Sequence, residues 1–508
     1  MKLSSKSRLS FLVLILLVGV VGVYATTISP SGVYDTPWGN FTVGVNAPDY
    51  FRAGNNFTEW VETAIAAGGG GPGATGDLTV SFEYVCWDNA TGSYFQNGQS
   101  GVVVGPSTEQ QCLDWAFGNS TGGAILIKAA TWDVIGLSDS TPGLIMGEGR
   151  SATVLRATGA GDVLTLPGLN QIVQHLSIDG NDAATDGLVL SGGRTRALHL
   201  YVYDCTEDGV EIASSGGAYI EDVRVRQVGA VRGAGTVGVN ILDAAADIEV
   251  INCIISECEI GIDMSGGTNR VFTNHIWGNV KGITLCRDAA HGEYIIANNF
   301  IEDNTEEAID ASYYYTWATQ ILGNDIDGNG VAADDTYANI VFNQTLGAID
   351  HRDVTISNNV FDRISGGGEL DRVKYHIWTD GGNGFVINGN INSRYSLTIG
   401  NPMFYLDNPS NFIVRDNNGY GDGGFITMSD GTGSITSGGT SDVITHGLDV
   451  TPEAGMIMIT LTENPTNTPG AIWVDTITST QFTVNCENDP GASNLDFSWY
   501  VDAARVGF

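Results

Sequence analysis

A four-residue phrase recurs between residues 187 and 341 and constrains the fold more than any other feature of the sequence. Its copies begin at residues 187, 209, 238, 261, 282, 308 and 338, and they read GLVL, GVEI, GVNI, GIDM, GITL, AIDA and ANIV. Apolar and polar residues alternate in them, as in a strand with one buried face. We therefore expect the polar members to face outward: Glu211, Asn240, Asp263, Thr284, Asp310 and Asn339.

A second phrase is interleaved with the first and begins at residues 250, 272, 296, 321, 356 and 387 (VINCII, FTNHIW, IANNFI, ILGNDI, ISNNVF and INGNIN). Asn or Gly at its third or fourth place predicts a turn of the backbone. Two or three strands in each irregular period of twenty to thirty residues predict the coils of a parallel β-solenoid. Leucine-rich repeats have similar periods, but their fixed Leu and Asn spacing is absent from this sequence.

The first 25 residues have the pattern of a secretory signal peptide. Basic residues precede an apolar run at residues 11–23, and Ala25 ends a site of the small-residue type that signal peptidase cleaves. The alternative is a retained membrane anchor, although the run is shorter than the roughly 20 residues of a spanning helix. We expect a secreted, extracellular or cell-surface protein.

The charge of the chain narrows the classes of partner. Removal of residues 1–25 would leave 19 of the 22 basic residues against 58 acidic ones, a net charge of −39. Such a surface repels nucleic acid and anionic lipid, so we expect neither as a partner. It also repels polyuronates unless divalent cations bridge the carboxylates. A polysaccharide or a cell-surface glycan is the expected ligand.

The chain divides into an N-terminal arm and β meander (26–105), a β-helix (106–430) and a C-terminal antiparallel, sandwich-like β domain (439–508). In the arm we predict one helix near residues 58–67 and a glycine-rich linker at 68–76. A capping box of Ser107 and Gln110 predicts a short helix that ends near Gly118 and covers the open end of the solenoid. The β-helix has longer turns at 228–236, 286–293, 311–317, 327–337 and 364–384, and a linker follows Asp430.

Two segments after this helix carry a family resemblance. GGAILIKAATW (122–132) and GLIMGEGRSATVL (143–155) resemble the N-terminal signature of the pectate-lyase superfamily, and the lead-in at 81–104 is similar to that of secreted archaeal and viral members. The resemblance covers roughly residues 79–430 and implies a right-handed parallel β-helix with an N-terminal capping helix. It implies no single activity, because the superfamily includes lyases, hydrolases, epimerases, adhesins and tailspikes. THGLDVTP, TSTQFTVN and DFSWYVDA near the C-terminus resemble a module of viral fibres and archaeal surface proteins, where it serves attachment or oligomerisation.

Three carboxylates of the outward row are candidate catalytic residues. Glycoside hydrolysis uses two carboxyl groups about 5–5.5 Å or about 6.5–9.5 Å apart. Glu211 and Asp263, like Asp263 and Asp310, should lie two coils and roughly 9–10 Å apart. The alternative is a solvated face of an acidic protein. The motif order of polygalacturonases is absent, and the few Lys and Arg residues, such as Arg224 and Arg226, offer little choice of base for a lyase.

An aromatic cluster is the second candidate. Rings beside carboxylates and amides suit the stacking and hydrogen bonding of a neutral sugar, and the alternative is that some of these rings fill the core. The candidate glycan-binding residues are Tyr313, Tyr314, Tyr315 and Trp317, extended by His275 and Trp277 of a neighbouring coil.

Calcium is the one cofactor that the sequence suggests. Four oxygen-bearing residues fall within eight positions, and the alternative is a turn rich in Asp and Asn. They are Asp179, Asn181, Asp182 and Asp186.

Seven cysteines leave at least one free or paired between chains. We predict a disulfide between Cys86 and Cys112, and buried thiols at Cys205, Cys253, Cys258 and Cys286. N-glycosylation is expected at the sequons of Asn40, Asn56, Asn89, Asn119 and Asn343.

Together these features favour a secreted surface β-helix protein that binds glycans or builds an extracellular structure, with a C-terminal domain for attachment or self-association. The competing interpretation is a polysaccharide-degrading enzyme, a hydrolase rather than a lyase. A third is a viral spike or fibre protein, for which a homo-oligomer such as a trimer or filament would be expected.

Overall fold

The computed structural model describes residues 32–36, 39–43, 82–98, 100–141, 143–214, 216–226, 236–330, 332, 336–343, 351–362, 373–392, 404–407, 410–417, 426–463 and 465–506. Two compact units contain residues 1–129 with 141–148, and residues 130–140 with 149–508. The predicted signal peptide, the helix near 58–67, the linker at 68–76 and Asn56 lie outside the described residues. No helix of the described part is long and apolar enough to span a bilayer.

The first unit contains a hairpin of Gly32–Thr36 and Gly39–Val43, and a five-stranded sheet. The sheet order is Leu144–Gly147, Ala124–Ile127, Tyr84–Asn89, Gly92–Asn97, Val103–Ser107. The pairings of Ala124–Ile127 are parallel and the other two are antiparallel.

One helix, Glu109–Gly118, packs on this sheet through Trp115, whose ring stacks on Phe95 with 3.8 Å between centroids. Its capping box consists of Thr108 and Gln111, one residue later than predicted. The reason is that Ser107 still belongs to a strand, and its hydroxyl donates to the Ser93 carbonyl at 3.1 Å. The predicted role of the helix in covering the solenoid stays a prediction.

The cysteines of the described residues are all buried and free. Cys86 and Cys112 hydrogen-bond to each other, and this contact and burial raise the pKa of the Cys86 thiol. They are neighbours, as predicted, but the structure holds them as thiols, so their disulfide stays a prediction. The expected burial of Cys205, Cys253, Cys258 and Cys286 is confirmed.

The second unit is the predicted parallel β-solenoid, in which successive coils each add a strand to three long sheets. The first sheet contains Ile172–Gln174, Arg196–Leu198, Tyr219–Glu221, Glu249–Ile251, Arg270–Phe272, Ile295–Ala297, Gln320–Leu322, Thr355–Ser357, Val386–Asn388, Phe412–Arg415 and, antiparallel to it, Arg505–Val506. The second sheet contains Ala130–Val134, Thr153–Ala157, Ser177–Asp179, Tyr201–Tyr203, Arg224–Arg226, Ile254–Ser256, His275–Trp277, Phe300–Glu302, Asp325–Asp327, Val360–Asp362 and Ile391–Asn392. The third sheet contains Leu137–Ser138, Leu164–Leu166, Leu188–Leu190, Asp208–Ile212, Val237–Ile241, Ile260–Met264, Lys281–Leu285, Ile309–Asp310, Tyr337–Asn343, Val373–Asp380 and Phe404–Asp407. Two short strands, His291–Gly292 and Thr316–Trp317, pair in the connections that follow the third sheet.

The corner between the first and second sheets explains the Asn and Gly residues of the second phrase. Its first position has a left-handed backbone, with φ of 55° at Asn252 and 62° at Gly323, a conformation that Asn and Gly tolerate. From Asn274 onward the next position is a buried Asn whose side-chain N–H donates to the Asn of the following coil, at 3.0 Å for Asn274 to Asn299 and 2.9 Å for Asn299 to Asn324. This asparagine ladder continues through Asn359, Asn390 and Asn417. The predicted turns are confirmed.

The glycine that opens the first phrase lies where a third-sheet strand begins. A Cβ atom on Gly238 would come within 2.5 Å of both the Gly261 carbonyl oxygen and a methyl group of Ile255. A glycine column therefore forms at this corner because a side chain would collide with the interior.

The C-terminal part forms two three-stranded antiparallel sheets around a common core. Their strands, in sheet order, are Met428–Ile435, Leu495–Asp502, Ile457–Leu461 and Ser441–Thr445, Gln481–Cys486, Ile472–Asp475, with a 3₁₀ turn at Ala454–Met456. The glycine-rich segment after residue 430, which we predicted to be a linker, begins within the first of these strands, which continues to Ile435. Gly431 and Gly433 leave room there for the rings of Trp499 and Phe497, which an added Cβ atom would approach within 2.7 and 2.4 Å. The predicted turn at 364–384 likewise contains a strand, Val373–Asp380.

Candidate functional site

The outer face of the third sheet aligns one residue from each coil in a continuous row. Its members, in register order, are Glu211, Asn240, Asp263, Thr284, Asp310, Val341, Trp378 and Tyr405. At about 4.8 Å per strand this third-sheet row extends over roughly 34 Å. The predicted separation of two coils between the candidate carboxylates is confirmed. Asn339 is not a member: Val341 pairs with Asp310, and Asn339 hydrogen-bonds to His376 at 2.8 Å.

Asp263, in the middle of the row, is fully buried and faces a cation that the repeat pattern did not reveal. Arg287, in the connection after the next strand, places its Nε 2.9 Å from Asp263 Oδ2. The hydroxyls of Thr284 and Ser265 donate to Oδ1 at 2.9 and 3.2 Å. Burial raises the pKa of Asp263 to about 6, although Arg287 and these hydrogen bonds oppose the shift. This carboxylate is bound by protein groups and is not a solvated one.

Asp310 is also buried and forms an ion pair with Lys281, which begins the preceding strand of the sheet. The backbone N–H of Ser312 donates to Asp310 Oδ1 at 3.0 Å. The Lys281 ammonium lies 5.6 Å from the centroid of the Tyr313 ring. Lys281 therefore contacts both a candidate catalytic carboxylate, that of Asp310, and a candidate glycan-binding ring, that of Tyr313.

A pair of carboxyl groups that share a raised pKa lies at the start of the row. The backbone N–H of Asp208 donates to Asp186 Oδ1 at 3.1 Å, and Asn240 Nδ2 donates to Asp208 Oδ2 at 2.7 Å. Burial raises the pKa of both acids to about 7, and their mutual repulsion contributes at Asp186. Burial also raises the pKa of Glu211, with the charge of Asp162 as the next cause. We call Asp186, Asp208 and Glu211 the carboxyl cluster.

The sequence contains a signal for this pair just before the recurring phrase. An Asp precedes the glycine of the phrase in two adjacent coils, Asp186 before Gly187 and Asp208 before Gly209.

The other end of the row is aromatic. Tyr405 is 40% exposed, and Tyr375 stacks on it with 5.1 Å between centroids. The rings of Trp378 and Tyr405 lie edge to face at 6.4 Å, and the Lys374 ammonium lies 5.3 Å from the Tyr375 ring. These residues were not predicted from the sequence, because a turn was expected over the segment that contains Lys374, Tyr375 and Trp378.

The predicted aromatic cluster divides between two faces. Tyr313, Tyr314, Tyr315 and Trp317 are half-buried in the connection that follows the strand Ile309–Asp310, and the Trp317 ring is 5.5 Å from Tyr315. Trp317 covers Gly292, where an added Cβ would lie 2.7 Å from the indole ring. These rings are therefore neither core nor fully exposed. His275 and Trp277 belong to a strand of the second sheet, and His275 bonds to Glu302 at 2.7 Å.

The four residues of the calcium prediction have other partners. Asp179 accepts a hydrogen bond from Tyr203, the Asn181 side chain donates to the Ala157 carbonyl at 3.0 Å, and Asp182 is exposed. Asp186 belongs to the carboxyl cluster. Among the described residues no group of three or more His, Cys, Asp or Glu side chains could hold a metal ion.

Of the glycosylation candidates, Asn89 and Asn119 are exposed and Asn343 is half-buried. Asn89 accepts hydrogen bonds from the backbone and hydroxyl of Thr91, and Asn119 donates to the Trp115 carbonyl. Asn40 lies in the strand Gly39–Val43. Glycosylation at these sites stays a prediction.

Comparisons with known proteins agree on the fold. Residues 186–361 match the family model for the right handed beta helix region. The structure is similar to the Dettilon tailspike protein gp208, at 13% identity over 77% of this chain and 91% of that chain, with a TM-score of 0.51. The tailspike gp61 of Pseudomonas phage phi297 has 11% identity, coverages of 77% and 91%, and a TM-score of 0.47. The A-module of the Azotobacter vinelandii mannuronan C-5 epimerase AlgE6 has 13% identity over 61% of this chain and 94% of that chain, with a TM-score of 0.42.

No curated protein matches the sequence. The molecule is thus a right-handed parallel β-helix protein with a small C-terminal antiparallel domain, as the resemblance to the pectate-lyase superfamily implied. At 13% identity the similarity to the Dettilon tailspike protein establishes the fold alone.

Proposed function

We propose that the protein binds a polysaccharide chain at the third-sheet row, through the members that reach the surface: Glu211 at one end, and Trp378 and Tyr405 at the other. The observation that carries the proposal is that carboxylates, amides and aromatic rings occupy one register-aligned line. Sugars are recognised by this combination, since rings stack on the C–H faces of the pyranose and polar groups bond its hydroxyls. Within the row, the buried indole N–H of Trp378 and the buried side-chain oxygen of Asn240 have no hydrogen-bond partner among the described residues.

The charge of the row favours a neutral chain. Two cations in the middle of the row, Arg287 and Lys281, are already paired with Asp263 and Asp310, and a third, Lys374, lies beside Tyr375 at the aromatic end. At the other end an anionic polysaccharide would meet the carboxyl cluster, where like charges repel it.

The sequence supports display of this site outside the cell, because the chain begins with the pattern of a signal peptide. A role of the C-terminal domain in attachment or self-association is supported by apolar side chains on its surface. Met458, Val443 and Trp473 are 58%, 56% and 45% exposed, and exposed apolar groups favour contact with another surface.

A second candidate function, hydrolysis of the bound chain, is favoured by the pair of Asp186 and Asp208. A carboxyl group with a pKa of about 7 holds its proton for part of the time at neutral pH, as a general acid must. It would protonate the leaving glycosidic oxygen, and the carboxyl group of Glu211, when ionised, would act on water or on the sugar. Binding does not depend on this chemistry.

One experiment tests both functions. Residues 26–508 are incubated with soluble neutral polysaccharides, and binding and new reducing ends are measured together. We expect Trp378→Ala and Tyr405→Ala to weaken binding about tenfold each. Tyr219→Ala, which removes a half-buried ring from the first sheet, is the control and should leave affinity unchanged. Equal affinity of all three variants would refute the proposed site.

Hydrolysis adds a separate result. If the chain is cut, Asp208→Asn should abolish the release of reducing ends while binding persists. If the unmodified protein binds the polysaccharide without releasing reducing ends, hydrolysis is refuted and only the binding function stands.

A further inference from the structure

The outer face of the second sheet carries its own cluster of rings and cations. It spans five coils, and two outward residues come from each strand. The first row contains Tyr201, Arg224, Ile254, His275 and Phe300, and the second row contains Tyr203, Arg226, Ser256, Trp277 and Glu302. We call this set the second-sheet face. Its strands differ from those of the third-sheet row.

The rings of this face lie at the surface and contact one another. Tyr201 and Tyr203 stack with 4.6 Å between centroids, and His275 lies 5.1 Å from Phe300 and 6.1 Å from Trp277. All five are half-buried. The alternating central residues of the same strands point inward and form the core, so these rings are not needed to fill it.

One cation of the face has no acid beside it. The Arg224 guanidinium is exposed and lies 5.4 Å from the centroid of the Tyr201 ring, and no carboxylate of the described residues pairs with it. This is notable in a chain with a net charge of −36. A flat guanidinium on a tyrosine ring presents several N–H donors in one plane.

Two polar atoms in the centre of the face lack hydrogen bonds. Arg226 binds Glu257 at 2.9 Å through Nη2, but its Nε has no partner in the described part of the chain. The hydroxyl of Ser256, on the adjacent strand, is fully buried and also lacks a partner there. Buried polar atoms without partners cost free energy, so a ligand or water that satisfies them is favoured.

We infer that the second-sheet face is a second carbohydrate-binding surface, which holds one neutral polysaccharide chain and is separate from the third-sheet row. The sugar rings would stack on Tyr201, Tyr203 and Trp277, and Arg224 would donate to hydroxyl oxygens. The assignment does not require the third-sheet row to bind anything.

The size of the face favours a single chain over a second copy of the protein. Five strands at about 4.8 Å and three residues at about 3.3 Å give a footprint of roughly 19 by 10 Å, or about 200 Å². A stable protein interface buries about 800 Å² on each partner. The rings are the side chains that protein interfaces also use, so the oligomeric state must be measured alongside.

The carboxylates that border the face exclude an acidic chain as the preferred ligand. Glu257 and Glu302 pair with Arg226 and His275, and Asp179 bonds to Tyr203. A uronate or sulfate would gain Arg224 alone and be repelled by the others.

The test is affinity electrophoresis of residues 26–508 in native gels that contain mannan, dextran or a soluble β-1,3-glucan. The proteins are the unmodified chain, Trp277→Ala, Trp277→Phe, Arg224→Ala and, for the other site, Trp378→Ala. We expect at least one gel to retard the unmodified chain. In that gel Trp277→Ala should raise Kd about tenfold and Arg224→Ala about fivefold. Trp277→Phe should stay within about twofold, since it keeps a ring.

Three outcomes would overturn the assignment. The first is equal retardation of Trp277→Ala and the unmodified chain. If Trp378→Ala alone loses retardation in that case, the third-sheet row is the binding site. The second is no retardation in any gel. The third is a dimer, measured by light scattering, that Trp277→Ala dissociates, which would make the face an interface between copies. Circular dichroism checks that each variant is folded. Binding that persists in Trp277→Phe shows in addition that residue 277 can be replaced without unfolding the protein.

Discussion

Replacing Asp208 by Asn removes one carboxyl of the buried pair and keeps its hydrogen bonds. Asn240 Nδ2 still finds an oxygen to donate to, and the backbone N–H of residue 208 still donates to Asp186. The substitution thus isolates the effect of titration. It should make the folded protein much less sensitive to pH between 5 and 8.

The direction follows from proton binding. The carboxyl of Asp208 has a pKa of about 7 in the folded chain against 3.8 for the ordinary group, so between these values the folded state binds more protons than the unfolded state. Stability then falls as the pH rises through this window, and the loss is complete above pH 7. About three pKa units at 1.36 kcal/mol each set an upper value of ~4 kcal/mol for one such group. Because Asp186 loses its like-charged neighbour in the variant, part of its own shift disappears too.

Melting temperatures of the unmodified chain and of Asp208→Asn at pH 5 and pH 8 provide the measurement. We expect the unmodified chain to lose more stability than the variant as the pH rises. Asp182→Asn, which changes an exposed carboxylate to an amide in the same region of the solenoid, is the matched control and should follow the unmodified chain. Parallel pH dependence in Asp208→Asn and the unmodified chain would show that the pair is not buried as described.

Three further substitutions test the packing around the site. Asn324→Ala leaves the Ile296 carbonyl and the Asn299 donors without partners and should cost about 3 kcal/mol or more in urea unfolding; an unchanged midpoint would contradict the ladder. Gly238→Ala should cost ~1–3 kcal/mol because of its 2.5 Å contacts, whereas Gly455→Ala, where a Cβ meets open space, should be neutral. Lys281→Met leaves the buried carboxylate of Asp310 and that of Glu307 without their shared cation at a cost of about 3–5 kcal/mol, and adding Asp310→Asn should recover part of it; no recovery would refute the ion pair with Asp310.

The fold was predictable from the sequence because a solenoid repeats the same local requirements in every coil. The apolar alternation, the glycine at the collision point near Ile255 and the Asn residues after the left-handed corner each depend on neighbours one coil away. Because every coil repeats these requirements, the same short phrases recur along the sequence even though the period is irregular. Where the copies are harder to align, as at Tyr337–Asn343, the predicted member of the row was wrong, because Val341 and not Asn339 pairs with Asp310.

The third-sheet row was only partly predictable from the sequence. Glu211, Asp263 and Asp310 were placed correctly on one face, but their partners were not found. Arg287 and Lys281 lie 24 and 29 residues from the acids they bind, and the sequence does not show that their side chains reach across to a neighbouring coil. The division of the aromatic residues between two sheets was also missed, because the sequence shows which coil a ring belongs to more clearly than which side of the coil it faces.

The asparagine ladder has a consequence for how such a molecule can change length. Each member donates one side-chain N–H forward and accepts at its oxygen from behind, and Asn274, Asn299 and Asn324 are spaced by the same 25 residues. Removing one complete spacing brings a donor back opposite an acceptor, whereas a shorter deletion leaves both ends of the break unsatisfied. The ladder therefore makes the coil the unit in which this protein can be lengthened or shortened, in steps of about 4.8 Å.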